Sequence, residues 1–165
     1  MKSSINLFAV CFLFGSAVCK IAVAAPSLCA PTESVIFSCS TAASKIIALC
    51  RAERSRLITY RYGKSKRVEM SYSAEQGGEN GFFYNHYFRS SVDYARIAFA
   101  VSGYEYSVFR SYDVTDASTP KYGVVASKKN GDDEARIECH SQVIDNMEKI
   151  ITHLKCDTNS ALGCS

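Results

Sequence analysis

The stretch "FAVSGYEYSVF", Phe99 to Phe109, decides how this chain folds. Aromatic and β-branched residues flank two small turn residues, Ser102 and Gly103, so it reads as strand, tight turn, strand. Beyond the turn, Tyr104, Tyr106 and Val108 fall on one face, and Glu105 and Ser107 on the other. That period of two belongs to a half-buried strand.

The same alternation extends in both directions. "SVIFSCS" places Val35, Phe37 and Cys39 on one face, "TAAS" breaks it, and "KIIALC" returns, which makes a hairpin. "LITYRYG" alternates over 57–63, a basic turn follows, and "VEMSYS" sets Val68, Met70 and Tyr72 on one face. "AEQGGENG" and "DVTDASTPK" are loops by composition. "YGVVASKKNGDDEARIEC" is a further hairpin, with Asn130-Gly131 supplying the positive-φ turn. About eight strands with regularly spaced turns predict an antiparallel β-sandwich or small barrel, with one short C-terminal helix. That helix is the segment 143–154, where Val143, Met147, Ile150, Ile151 and Leu154 recur at helical steps and Ser141 is the expected N-cap.

The first residues carry an export signal. Lys2 precedes an apolar run from Leu7 to Val18, and Ala22 and Ala24 supply the small residues of a cleavage site. The run is shorter than the ~20 residues of a spanning helix, and Lys20 interrupts it. The expected organisation is a signal peptide over 1–24 and a single domain over 25–165, periplasmic or secreted. Removing 1–24 takes Lys2 and Lys20, so the net charge falls from +3 to +1. So small a charge gives no field for nucleic acid or an anionic membrane, and no long-range steering.

Six cysteines remain after cleavage: Cys29, Cys39, Cys50, Cys139, Cys156 and Cys164. No pair is spaced Cys-x-x-Cys, and an even count in an exported chain reads as three disulfides rather than zinc. Fifteen pairings are open. A helix over 143–154 would hold Cys139 and Cys156 farther apart than the ~7 Å a disulfide spans. Either the helix is shorter than its pattern or Cys139 bonds elsewhere.

No nucleophile elbow, phosphate loop or metal-ligand cluster is present, so no cofactor and no metal are expected. Ser102-Gly103-x-x-Tyr106 resembles the inhibitory loop of bacterial periplasmic lysozyme inhibitors. In that family a Ser-Gly-x-x-Tyr loop enters the lysozyme cleft, and its serine and tyrosine meet the catalytic carboxylates. The resemblance implies that Ser102 and Tyr106 carry binding, with Gly103 permitting close approach. Hydroxyls suit such a site, because they can donate to an ionised carboxylate or accept from a protonated one. The same residues also read as a plain hairpin whose tyrosines pack on the sheet.

A broader stretch, "IFSC…KIIALC…YRYGK", "GYEYSVF", "YGVVASKKNG" and "KCDTNSAL", is similar to a group of small exported proteobacterial proteins. That likeness implies compartment and fold, and no activity. Tyr84-Asn85-His86 resembles the Tyr-x-His element of small secreted guanyl-specific ribonucleases. It implies an alternative, hydrolytic reading, with His86 and Glu105 as acid and base, Arg110 on the phosphate, and His153 as a second histidine. The primary expectation is a binding protein rather than an enzyme. Its partner would be a protein, a lysozyme being the specific candidate.

Overall fold

A computed structural model describes residues 25–76, 78, 80–129 and 133–164. The expected signal peptide and the Asn130-Gly131 turn lie outside the described residues. The chain forms β1 (Glu33–Thr41), β2 (Ile46–Ala52), β3 (Leu57–Lys64), β4 (Arg67–Glu75), β5 (Phe83–Arg89), β6 (Val92–Val101), β7 (Tyr104–Asp113), β8 (Lys121–Lys128), β9 (Glu134–Asp145), α1 (Glu148–Ile151) and β10 (Lys155–Cys156).

All ten strands lie in one sheet, ordered β10-β5-β6-β7-β8-β9-β1-β2-β3-β4. It consists of two antiparallel meanders, β1–β4 and β5–β9, fused where β9 pairs with β1, with the two-residue β10 added parallel to β5. The sheet curls into a half-barrel. Tyr72 of β4 stacks on Phe99 of β6 with ring centroids 4.8 Å apart, although many strands separate them in the sheet. Tyr60 of β3 meets the same ring at 5.0 Å.

The concave face holds the core, and its residues follow the period-two pattern: Phe37, Ile47, Leu49, Ile58, Tyr60, Ile97, Phe99, Val108 and Val124 are all buried. A mainly β fold with one short late helix is therefore the architecture, in the barrel-like form. A smaller cluster, Ile46, Ala48 and Cys50, lies on the other face of β2, where Leu28 and Cys29 of the N-terminal extension pack against it.

Two expectations need correction. Ser141 lies within β9 and caps no helix; the helix spans only Glu148–Ile151, and Asp145 Oδ1 accepts from the Met147 N–H at 3.0 Å. The reason is pairing. The β1 ladder holds β9 as a strand as far as Asp145, opposite Phe37, and overrides the local helical period. The apolar spacing nevertheless located a real core face, since Met147, Ile150, Ile151 and Leu154 are buried whereas Val143 is exposed.

Both alternatives left open for Cys139 are realised, because the helix is short and Cys139 bonds elsewhere. The disulfides are Cys29–Cys50, Cys39–Cys139 and Cys156–Cys164. Three intramolecular disulfides are typical of extracellular or periplasmic proteins.

Glu33, at the start of β1, accepts both forks of the Arg61 guanidinium, at 2.6 and 3.0 Å, and the Ala30 N–H at 2.7 Å. The Arg61 hydrogen bonds hold its carboxyl below the usual 4.5. The unfolded chain thus takes up this proton first as the pH falls. The stabilisation is complete above the ordinary carboxyl range and is lost as the pH drops through the lowered folded value. Glu33→Gln should flatten the acid limb of the stability curve, as read by urea unfolding across a pH series. Identical acid slopes in the two proteins would show that the pair contributes nothing.

Candidate functional site

The β6–β7 turn is a tight, exposed hairpin tip. Val101 pairs with Tyr104, so the loop holds two residues, Ser102 at φ 53° and Gly103 at φ 81°. Positive φ at both central residues matches the type I′ turn, whose twist fits the flanking strands. Ser102, Gly103 and Tyr104 are exposed, and a Cβ added at Gly103 would meet nothing within 4 Å. The Lys129 N–H donates to the Gly103 carbonyl at 2.9 Å and braces the tip against the end of β8. Serine carries a Cβ penalty in this conformation, which glycine or asparagine bears more easily. Ser44 in the β1–β2 turn adopts a similar φ of 56°.

Tyr106 is placed differently from Ser102. It lies two residues down β7, on the concave face, half-buried, with its ring stacked on Phe99 at 5.2 Å and 6.2 Å from Tyr60. It thus belongs partly to the core. The most exposed aromatic beside the tip is Tyr104, at 39% exposure, with its ring 6.4 Å from that of Tyr106. The period-two pattern put Tyr104 on the same face as Tyr106, but nothing in the sequence ranked their exposure.

The residues of the hydrolytic reading are not brought together. His86 pairs with the core residue Ala95 on the concave face, whereas Glu105 lies on the convex face beside Arg96, at 3.6 Å. His153 is exposed just after α1, and its carbonyl accepts from Gln76 Nε2 at 3.3 Å. His86 and Arg110 do meet, but at Asp93, whose carboxylate lies 3.1 Å from His86 Nε2 and 2.9 Å from Arg110 Nη2.

Tyr84-Asn85-His86 has a structural task here. Asn85 is fully buried; its amide donates to the carbonyls of Asp157 and Gly163, at 2.9 and 3.0 Å, and its Oδ1 accepts from Arg96 Nε at 2.6 Å. Arg96 also pairs with Asp157 at 2.6 Å. These contacts fasten the C-terminal loop, closed by Cys156–Cys164, over the edge of β5. Beside that loop the convex face forms a trough of about 410 Å³, with Phe109, Arg136, Glu105 and Leu162 among its lining residues.

The hydrolytic reading places Arg110 on a phosphate; in the fold it is an ion-pair hub. On β7 it occupies a concave-face position, and its side chain is 10% exposed. It binds Asp93, Asp145 and Glu148, so one cation joins β6, β7, β9 and α1. Burial works to lower its pKa, but the Asp145 and Asp93 carboxylates outweigh burial and the net shift is upward. A basic residue in phase with Tyr106, Val108 and Tyr112 was the available signal, a charge on the inward, otherwise apolar face.

Among the described residues, Cys29, Glu33 and Cys50 place donor atoms within 4.8 Å of one another, but both sulfurs are spent in the Cys29–Cys50 disulfide. No helix of the described residues is long and apolar enough to cross a membrane. Comparison with protein-family models, curated proteins and solved structures found no match.

Proposed function

We propose that this is an exported binding protein, acting in the periplasm or outside the cell, and that it inhibits lysozyme by presenting the β6–β7 tip to the catalytic cleft. One observation supports this above the others: Ser102 and Gly103 form an exposed, backbone-braced turn at the end of two ten-residue strands. A rigid tip lowers the ordering cost of binding. The lysozyme cleft holds one protonated and one ionised carboxyl, and a hydroxyl can bond to either. The three disulfides are compatible with that compartment.

The test needs variants that respect the geometry. Tyr106→Ala would remove a ring stacked in the core, at a cost of about 3–5 kcal/mol, and would confound function with folding. Tyr106→Phe removes only the hydroxyl, and Ser102→Ala alters an exposed tip. Purified protein should slow lysozymes of the c, g or i type at micromolar concentration, and the Ser102→Ala/Tyr106→Phe pair should lose most of that effect while unfolding at an unchanged urea midpoint. Undiminished lysis with all three types ends the proposal.

A further inference from the structure

Next to the tip, the concave face has a gap in its side-chain filling. The register aligns Tyr106 with Ala126 on β8, and Ala126 with Ala135 on β9. Where neighbouring rows carry Val108, Val124 and Ile137, this row ends in two methyl groups. β1 reaches β9 only from Cys139 onward, so Ala135 has no strand beyond it in the sheet. The result is a cleft of about 480 Å³ lined by Tyr104, Tyr106, Ala126, Asp133, Glu134 and Ala135. Two tyrosines wall it, two alanines floor it, and Asp133 edges it; Glu134 pairs with Ser127, so its side chain faces the convex side, where it also borders the trough. Neither Asp133 nor Glu134 forms an ion pair among the described residues.

We infer that this notch takes a basic side chain, lysine or arginine, from the protein partner that the tip engages. The inference rests on the reading above that the β6–β7 end faces a protein. Three features select that chemistry. The tyrosine faces attract a cation within about 6 Å of the ring centre. The aliphatic stem of lysine or arginine is apolar and suits an alanine floor. The Asp133 carboxylate at the edge supplies a charge-assisted acceptor, which arginine can engage with two parallel bonds. An acidic side chain would meet a like charge, and a neutral one would leave it unused. The chain as a whole carries little net charge, so recognition here comes from local placement rather than long-range steering.

The notch can be tested without the partner. Argininamide serves as the cationic probe and acetamide as the neutral control, with methyl NMR signals of Ala126 and Ala135 as readout. Argininamide at millimolar concentration should produce saturating shifts at both methyls and at the Tyr104 ring, and acetamide should produce none. Ala126→Leu should abolish the shifts by filling the notch. Asp133→Asn, at an exposed position that leaves the core untouched, should weaken them several-fold, whereas Glu134→Gln on the other face should change them little. Absent or non-saturating shifts, equal shifts with acetamide, or indifference to Asp133→Asn would each overturn the inference. Lysozyme inhibition without argininamide binding refutes the notch and leaves the tip standing. Argininamide binding without inhibition keeps the notch and removes lysozyme as the partner.

Discussion

Replacing Cys39 and Cys139 together by alanine is expected to remove about 4–5 kcal/mol of unfolding free energy, the largest loss from any of the three disulfides. The bridge closes a sequence separation of 100, against 21 for Cys29–Cys50 and 8 for Cys156–Cys164. In the chain-entropy model, a cross-link stabilises by restricting the unfolded ensemble, and its effect grows with the logarithm of loop length. Location adds to this. Cys39 is fully buried, and Cys139 lies at the β1–β9 pairing that fuses the two meanders. Without the bridge, that seam must form between segments 100 residues apart, with all the loop-closure cost falling on folding. Urea unfolding of three double-alanine variants gives the ranking directly, and the Cys156/Cys164 variant should lose only about half as much. Equal losses from the two would show that the seam gains nothing special from its cross-link.

Arg110→Met should cost about 3–5 kcal/mol, because it leaves carboxylates without their cation in a mostly buried setting. Asp145 is 12% exposed and Asp93 is 23% exposed, and these two dominate the effect; Glu148 is largely in water and contributes little. Methionine keeps much of the volume, so lost packing is a small part of the change. Adding Asp145→Asn to Arg110→Met should recover part of the loss, since one stranded charge is then gone. A double-mutant cycle reads this as a coupling energy of a few kcal/mol at most. If the two losses simply add, the hub is not an energetic unit. Arg110 Nε is buried without a partner among the described residues, so the site is already short of one acceptor. Methionine removes that unpartnered donor, which argues for the lower part of the range.

How far the sequence could be read depends on the range of each interaction. The β1–β2 hairpin and the Ser102-Gly103 turn were legible because both follow from neighbours a few residues apart. The export reading and the even cysteine count led to three disulfides, and three are present. The pairing was not legible, because Cys39 meets Cys139 only once β9 docks on β1. The helix was misjudged in length for the same reason. The pattern in 143–154 is local, whereas the ladder that claims residues through Asp145 comes from the other end of the chain. Tyr106 is a similar case: its place on a face was readable, but its contact with Phe99 and Tyr60 depends on the curl of the sheet.

The sequence by itself determined the strands, their inward faces, the tight turns and the presence of a cross-linked framework, since side-chain alternation and turn stereochemistry act over a few bonds. Tertiary structure alone decided which cysteines meet, where Arg110 finds its carboxylates, why Asn85 is buried, and that two alanines leave a notch beside the tip. Those facts arise only when a curled sheet brings together residues tens of positions apart, and no local rule encodes the direction of that curl.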